Sequence, residues 1–214
     1  MIKGVLFDMD GVLVDSEPFI CEAAILMFRE LGVKVSQEDF KPFVGMGENR
    51  YIGGVAQQHG VNIDIDQVKA RTYEIYGEIV RGKLKPLPGV HEFISKCTRK
   101  GFRLALATSA DRIKMEINLK ETGLSIDSFQ AIITGLDVKN KKPSPEIYLK
   151  AAKNLGINPE NCLVVEDAVT GIESGKTAGC RCLAVTTSFP ASALGAADWI
   201  CDSLLNVPAE VLNW

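Results

Sequence analysis

The sequence is poor in the residues that build many common catalytic and metal sites. It has only two histidines, His59 and His91, and its six cysteines include no Cys-x-x-Cys pair. Zinc sites and Ser-His-Asp triads draw on these residue types. The cysteines are scattered through mostly apolar surroundings, where cysteine behaves as a small core residue. A disulfide-stabilised domain would be shorter and richer in cysteine. We therefore predict a reduced, cytoplasmic protein.

Long apolar runs and an excess of positive charge are also missing. No stretch approaches the ~20 apolar residues of a membrane span, and the first apolar run, Gly4 to Phe7, is too short for a signal-peptide core. The formal net charge is −3, whereas nucleic-acid and anionic-membrane surfaces need clustered Lys and Arg. We expect neither nucleic acid nor membrane as a partner, and a monomer or weak homodimer.

Short runs rich in Val, Ile and Leu recur along the chain with helical patterns between them. Strands that are buried on both faces of a parallel sheet have continuous apolar runs of this kind. The sequence therefore predicts an α/β fold built on a doubly wound, mostly parallel sheet. The predicted strands are Ile2–Phe7, Arg103–Ala107, Ala131–Thr134, Cys162–Val165, Arg181–Val185 and Trp199–Cys201.

Residues 16–83 have a different pattern, with helical periodicity and no convincing strand. Phe19–Leu31, Asn49–His59 and Gln67–Val80 are the predicted helices. We predict an all-helical cap inserted after the first strand, with the α/β core formed by residues 1–15 and 84–214. In the core, helices are expected at Val90–Lys100 and at Ser144–Leu155, the latter with Ser144 as N-cap and Pro145 at the first helical position.

Two pairs of carboxylates follow predicted strands. Asp8 and Asp10 come directly after the first strand, and Glu166 and Asp167 follow the fourth. Carboxylates at a buried strand end are costly without a counter-ion. Together with the backbone carbonyl of Asp10 they form an all-oxygen ligand set of the kind that suits Mg²⁺. Taken alone, Asp-x-Asp-Gly is also compatible with a solvated turn in which Gly11 has a positive φ.

Two further polar segments are placed at the same edge of the sheet. Thr108 and Ser109 close the second strand, where a hydroxyl and backbone N–H groups can hold phosphate oxygens. Lys142 lies before the helix start at Pro145 and could neutralise a phosphate. Each segment alone fits a helix cap or a basic surface loop. Because all four segments fall where the carboxyl ends of strands meet, we expect them to form one site.

The ordered segments Asp8-x-Asp10-Gly11, Thr108, Lys142-Pro143-x-Pro145 and Glu166-Asp167 resemble the four motifs of the haloacid dehalogenase (HAD) superfamily. The resemblance covers essentially the whole chain. The insertion at 16–83 is similar to the helical cap of the beta-phosphoglucomutase-like and phosphatase subgroup. It implies a Rossmann-like HAD core and a Mg²⁺-dependent phosphoryl transfer on a small phosphorylated metabolite, with a sugar phosphate as the expected substrate.

The resemblance also implies roles for individual residues. Asp8 would attack phosphorus and become an aspartyl-phosphate, and Asp10 would act as general acid and then general base. Thr108, with the Ser109 N–H, would hold the transferring phosphoryl group, and Lys142 would stabilise the charge on Asp8 and phosphate.

The metal site and the cap loop complete the expected site. Asp167, supported by Glu166, would hold Mg²⁺ together with Asp8 and Asp10. The loop Gly45-Met46-Gly47 is expected to be mobile and to meet the substrate when the cap closes, with Glu48 and Arg50 as substrate-binding candidates. A plain helix N-terminus is the alternative for this loop.

Asp10 separates this chain from other branches of the superfamily. Haloacid dehalogenases lack this second Asp, and P-type ATPases carry Lys there. A two-component receiver domain also combines acids, Thr and Lys, but its acidic pair precedes the phosphorylated Asp and it has no cap of this size.

The remaining choice is between a phosphatase and a sugar-phosphate mutase. A mutase must bind two phosphates, so it needs additional cations. Beta-phosphoglucomutase has His, Arg and Lys where this chain has Ile20, Glu48 and Asp111, the last followed by Arg112. The segment Asp15-Ser16-Glu17-Pro18 resembles the hinge of many small-metabolite phosphatases. We favour a phosphatase, with a beta-phosphoglucomutase or a related mutase as the alternative.

Overall fold

The centre of the molecule is a six-stranded parallel sheet. The computed structural model describes residues 1–44 and 46–213. Its strands are β1 (Gly4–Phe7), β2 (Arg103–Ala107), β3 (Ala131–Ile133), β4 (Cys162–Glu166), β5 (Arg181–Val185) and β6 (Trp199–Cys201). All pairings are parallel, and the spatial order is β3-β2-β1-β4-β5-β6. The order reverses between β2 and β4 on the two sides of β1, which is the point where doubly wound sheets bind ligands.

Eight α-helices lie in the part of the chain that the structure describes. They are α1 (Glu17–Glu30), α2 (Gln37–Phe40), α3 (Glu48–Gln58), α4 (Ile65–Val80), α5 (Val90–Arg99), α6 (Arg112–Thr122), α7 (Glu146–Leu155) and α8 (Val169–Thr177). Short 3₁₀ helices form several of the connections, including Gly135–Asp137 between β3 and α7.

Both faces of the sheet are buried, and alternate residues of each strand enter two separate apolar clusters. Phe7 in β1 faces the cluster that contains α5, where its ring meets that of Phe93 at 6.0 Å in an edge-to-face arrangement. The preceding residue, Leu6, faces the other cluster, which contains Tyr148 of α7. Burial on both faces explains why the strands read as continuous apolar runs rather than alternating patterns.

The predicted fold class is confirmed, and all six strands form where the sequence placed them, with ends that differ by at most two residues. The predicted helices also form, with similar small shifts. The predicted start of α7 is wrong by one residue: Pro145 is the N-cap and the helix begins at Glu146. The Ser144 hydroxyl still accepts a hydrogen bond from the Glu146 N–H, at 3.4 Å.

All four helices from α1 to α4 lie between β1 and β2, and the described residues of this insertion contain no named strand. Their apolar faces join the same cluster as Phe7, with Phe28, Ile52 and Tyr76 almost fully buried. We propose that residues 16–83 are the cap and that residues 1–15 and 84–214 are the core; of the core, the structure describes all but residue 214.

All six cysteines are free and buried, as the sequence predicted for core residues. Among the described residues, no helix is both long and apolar enough to cross a membrane.

Gly89 marks the return of the chain from the helical insertion to the core. Its φ is +85°, and a Cβ at this position would lie 2.3 Å from the backbone nitrogen of Leu205. Both the left-handed backbone and the close approach of a second chain segment therefore require glycine.

We predict that Gly89→Ala destabilises the protein by about 2–5 kcal/mol, the sum of left-handed strain and overpacking. Gly101→Ala is the matched control, because Gly101 has a φ of +78° but no neighbour within 4 Å of its missing Cβ. The control should lose only about 1–2 kcal/mol. Urea denaturation of both variants measures the difference, and equal losses would show that the contact with Leu205 contributes nothing.

Candidate active site

A cavity of about 330 Å³ lies at the carboxyl end of β1 and β4, between the sheet and the helical insertion. The core contributes Asp8 and Asp167 to its walls, and the insertion contributes Glu48 and Tyr51. This volume is at the lower end of the range for small-molecule sites. The cavity therefore has the volume of a site for a small molecule.

Lys142 joins two of the predicted site residues by short ion pairs. Its ammonium nitrogen lies 2.6 Å from Asp8 Oδ1 and 2.6 Å from Glu166 Oε1, and all three side chains are at least nine-tenths buried. Asp8 follows β1 directly and Glu166 is the last residue of the adjacent β4, so the parallel register places the two carboxylates side by side. The hydrogen bond between Lys142 and Asp8 thereby joins two residues that are 134 positions apart in the chain.

Asp8, Glu166 and Asp167 form a compact acidic cluster. Each offers a carboxylate oxygen, and these oxygens all lie within 4.8 Å of one another. Lys142 supplies one positive charge against three potential negative charges. Three hard oxygen donors with an unbalanced charge fit a divalent cation such as Mg²⁺, so the residues present are suited to hold the predicted metal.

The electrostatics of the cluster reflect this imbalance. Burial raises the pKa of Asp8 to about 7, with Lys142 opposing the shift and Glu166 adding to it. Burial, and then the neighbouring carboxylates of Glu166 and Asp8, also raise the pKa of Asp167. Burial alone would lower the pKa of Lys142, but Asp8 and Glu166 outweigh that effect and raise it. The ammonium therefore stays charged, and the carboxylates favour an added cation.

Gly11 allows Asp167 to reach the site. A Cβ on Gly11 would lie 1.8 Å from Asp167 Oδ2, and its φ is +79°. The positive φ considered from the sequence is therefore present, together with a close approach that only glycine permits. The Ser188 hydroxyl donates a hydrogen bond to the same carboxylate oxygen of Asp167 and fixes its orientation.

Asp10 lies beside the acidic cluster and is held by different partners. Its carboxylate accepts hydrogen bonds from the Ser16 hydroxyl and from the Lys114 ammonium, the latter at 3.1 Å. About 30% of the side chain is exposed, and it lines the cavity. The carboxylate is therefore free of the three-acid cluster, as a general acid or base needs to be. The part predicted for its backbone carbonyl in metal binding remains a prediction.

Thr108 and Ser109 follow β2 at the same edge of the sheet. Thr108 is fully buried, and its hydroxyl accepts a hydrogen bond from the Ala110 N–H at 3.0 Å. Ser109 lines the cavity. This bond forms a turn ahead of α6, whose N-cap is Asp111, so the helix-cap alternative considered from the sequence is wrong. The roles of Thr108 and Ser109 in holding a phosphate remain predictions.

The two predicted cap residues are placed differently. Glu48 is the first residue of α3, is buried, and lines the cavity. Arg50 is exposed, its guanidinium lies 5.6 Å from the centre of the Phe43 ring, and it does not line the cavity. Gly45, in the loop predicted to be mobile, lies outside the described residues. The roles of Glu48 and Arg50 in substrate binding remain predictions.

Sequence reasoning missed Lys114, which lines the cavity together with Lys41 and Lys142. It pairs with Asp10 and lies 3.7 Å from Glu48 Oε1. The sequence comparison with mutases considered Asp111 and Arg112 instead; Asp111 pairs with Lys69 of the insertion at 2.7 Å, and Arg112 is exposed. The available signal was the helical spacing of Lys114 with the buried residues of α6.

Tyr148 is a second residue whose polar role was missed. It was predicted only as part of the apolar face of α7, yet its hydroxyl donates a 2.7 Å hydrogen bond to Glu166 Oε1. The Lys142 ammonium lies 5.1 Å from the centre of its ring, within range of a cation–π interaction. Tyr148 thus holds both members of the Lys142–Glu166 pair in place.

Comparison with known proteins places this fold in a family. The model of the haloacid dehalogenase-like hydrolase family matches residues 5–185. The chain is 44% identical over 194 residues to the protein Suppressor of Quenching 1, chloroplastic, of Arabidopsis thaliana; the match covers 88% of the chain but only 18% of that protein's length. It is 32% identical to the phosphorylated carbohydrates phosphatase of Thermotoga maritima, covering 83% of the chain and 82% of that enzyme.

Solved structures agree on the fold. The CbbY protein of Rhodobacter sphaeroides, in a mutant form in complex with xylulose-(1,5)-bisphosphate, superposes with a TM-score of 0.89 at 26% identity, over 96% of each chain. The resemblance noted in the sequence is thereby confirmed: the chain belongs to the haloacid dehalogenase-like hydrolase family.

Proposed function

We propose that this protein is a Mg²⁺-dependent phosphatase that hydrolyses a small phosphorylated metabolite, most simply a sugar phosphate, through an aspartyl-phosphate on Asp8. The observation that carries the proposal is the buried Asp8 carboxylate held by Lys142, beside a second acid pair and at the base of a small cavity. The name of the Thermotoga relative, a phosphorylated carbohydrates phosphatase, supports the substrate class.

Asp8 is the nucleophile in this proposal. Its free oxygen attacks phosphorus while Lys142 reduces the repulsion between the carboxylate and the phosphate. The bond between phosphorus and the leaving oxygen breaks, and Asp10 gives its proton to that oxygen. Asp10 then takes a proton from water, which attacks the aspartyl-phosphate and releases inorganic phosphate. Ser109 and the backbone beyond Thr108 hold the oxygens of the transferring group.

The divalent cation would be held by Asp8, Asp167 and the backbone carbonyl of Asp10, with Glu166 in support. When bound, it supplies positive charge that stabilises the transferring phosphoryl group. Its presence is consistent with the three clustered carboxylates, which Lys142 alone does not neutralise.

The mutase alternative is less favoured because a mutase must bind a second phosphate. Of the three cations among the described residues that line the cavity, Lys41 pairs with Glu38, while Lys114 and Lys142 each face two carboxylates.

We also propose a cytoplasmic site of action, on the basis of the free cysteines alone; the Arabidopsis relative is named chloroplastic.

Asp8→Asn should reduce Mg²⁺-dependent hydrolysis of p-nitrophenyl phosphate by more than about 10⁴-fold, because the amide cannot accept the phosphoryl group. Asp127→Asn is the matched control: Asp127 is an exposed acid outside the cavity, and its variant should keep wild-type activity. Turnover by Asp8→Asn at the wild-type rate would remove Asp8 as nucleophile.

Asp10→Asn should lower the steady-state rate by about 10²–10⁴-fold, the usual contribution of general acid–base catalysis. Loss of the acid slows formation of the phosphoenzyme, and loss of the base slows its decay. Rapid mixing followed by acid quench measures both steps on Asp8. A variant with unchanged rates of formation and decay would show that Asp10 is not the acid/base.

Removal of divalent cations with EDTA should abolish hydrolysis, and added Mg²⁺ should restore it. Asp167→Asn removes one ligand and should raise the Mg²⁺ concentration for half-maximal activity by about 10-fold or more, on the scale of losses seen when metal-site residues are replaced. Titration of activity with Mg²⁺ measures the shift. Full activity in EDTA would contradict the metal assignment.

A screen of sugar phosphates and nucleotides tests the reaction type. Phosphate release and isomerised product are followed in the same samples. Free phosphate without isomerisation supports the phosphatase, whereas conversion of beta-glucose 1-phosphate to glucose 6-phosphate would replace it by the mutase.

A further inference from the structure

The loop that carries Lys142 has no regular secondary structure to hold it. Residues 138–145 lie between the 3₁₀ helix Gly135–Asp137 and α7, outside any named helix or strand. Lys142 nevertheless has a buried side chain, and its ammonium lies 2.6 Å from both Asp8 and Glu166. A site residue on a loop is held in place by the contacts that the scaffold makes with that loop. The position of Lys142 therefore depends on what binds the backbone of residues 138–145.

Glu146, the first residue of α7, binds the start of this loop. Its Oε1 accepts a hydrogen bond from the Lys139 N–H at 3.0 Å, and its Oε2 accepts one from the Asn140 N–H at 2.9 Å. The side-chain amide of Asn140 donates a third hydrogen bond to Oε2, at 3.2 Å. Hydrogen bonds to a charged acceptor are stronger than those between neutral groups. The carboxylate therefore fixes two successive peptide groups just ahead of Lys142 in the chain.

Lys150, one turn further along α7, connects Glu146 to the preceding 3₁₀ helix. Its ammonium lies 3.0 Å from Glu146 Oε1 and also donates a hydrogen bond to the carbonyl oxygen of Asp137. The hydrogen bonds from the N–H groups of Lys139 and Asn140 lower the pKa of Glu146 to about 2. The carboxylate is therefore ionised at neutral pH, with both oxygens able to accept hydrogen bonds.

The far end of the loop is fixed by different contacts. The Ser174 hydroxyl of α8 donates a 2.7 Å hydrogen bond to the carbonyl oxygen of Ser144, whose own N–H donates to the Lys141 carbonyl oxygen at 2.9 Å. Lys142 thus lies between two anchored points, and Glu146 supplies the first. The side chain of Glu146 is 21% exposed and does not line the cavity, so it reaches the site only through the loop.

We propose that Glu146 is a positioning residue for the hydrolysis: by binding the backbone of residues 139 and 140, it directs Lys142 toward Asp8 and Glu166. The inference rests on the proposed phosphatase function and adds to it a residue outside the cavity. Without this carboxylate the loop moves, and the Lys142 ammonium loses the fixed position from which it stabilises the transferring phosphoryl group. A displacement of about 1 Å can lower a rate by about 10²-fold.

Glu146→Gln tests the inference, because the amide nitrogen cannot accept a hydrogen bond and one backbone N–H loses its partner. Its kcat for Mg²⁺-dependent hydrolysis of p-nitrophenyl phosphate should fall by about 10–100-fold. Glu116→Gln is the matched control and should keep the wild-type kcat. Glu116 forms an ion pair with Arg112 four residues earlier on α6, so this variant also loses an ion pair within one helix.

A Lys142→Met background separates positioning from a general structural role. Single-turnover assays with enzyme in excess make the slow rates of this background measurable. Adding Glu146→Gln to Lys142→Met should change the rate by less than about 3-fold, because the ammonium that Glu146 positions is already gone. A general loss of structure would instead lower the rate by the same factor in both backgrounds.

Amide hydrogen exchange gives a readout that does not depend on the reaction. In Glu146→Gln the N–H groups of residues 139 and 140 should exchange at least about 10-fold faster than in the wild-type protein, because local opening no longer breaks their bonds to a carboxylate. The midpoint of urea denaturation should stay near the wild-type value. Glu146→Asp keeps two acceptor oxygens on a shorter side chain and should recover part of the kcat that Glu146→Gln loses.

Three results would overturn the inference: a wild-type kcat for Glu146→Gln, equal losses in the wild-type and Lys142→Met backgrounds, or unchanged exchange at residues 139 and 140. Failure of the proposed function has a different signature. In that case the wild-type enzyme would show no Mg²⁺-dependent hydrolysis of p-nitrophenyl phosphate, or Asp8→Asn would retain it, and the reaction that Glu146 serves would be removed with it.

Discussion

The rest of the site depends on the ion pairs that the Lys142 ammonium makes with Asp8 and Glu166. Asp8 and Glu166 end neighbouring strands, so the parallel sheet forces their carboxylates together. Two buried acids in contact would repel one another, and one would take up a proton. Lys142 offsets that repulsion from the loop before α7, where its ammonium lies beside the Tyr148 ring, while the Tyr148 hydroxyl donates a hydrogen bond to Glu166. A buried ion pair of this kind is weak evidence for stability and says more about function.

The acidic cluster carries more potential negative charge than positive charge. Of its three carboxylates, those of Asp8 and Glu166 pair with the single Lys142 ammonium, an imbalance of charge that a bound divalent cation would offset. This arrangement depends on the tertiary fold and not on the local sequence, because apolar clusters on both faces of the sheet fix the strand ends. Rigid strand ends are what allow a nucleophile and its counter-ions to be held in a reactive geometry.

The helical insertion closes the cavity and brings its own charges. Two ion pairs connect it to the core around α6, between Glu48 and Lys114 and between Lys69 and Asp111. Glu48 and Lys114 line the cavity, whereas Lys69 and Asp111 do not, so one of these two contacts between the insertion and the core is also part of the cavity wall. In our proposed function the core performs the chemistry, and the insertion contributes Glu48 and Tyr51 to the cavity wall.

Most of the fold and the central residues of the site could be predicted from the sequence. The strands were found because burial on both faces gives continuous apolar runs, and Asp8, Lys142 and Glu166 were found because carboxyl ends of parallel strands converge. Lys114, Tyr148 and Ser188 were not. Each lies on a helix or loop where nothing local distinguishes it, and each reaches the site only through packing with residues far away in the chain. The sequence by itself determined the strands and the candidate catalytic groups that follow them, because those depend on local pattern and strand direction. Tertiary structure alone decided which charges face Glu48 and Asp10, because that depends on how the helical insertion packs over α6.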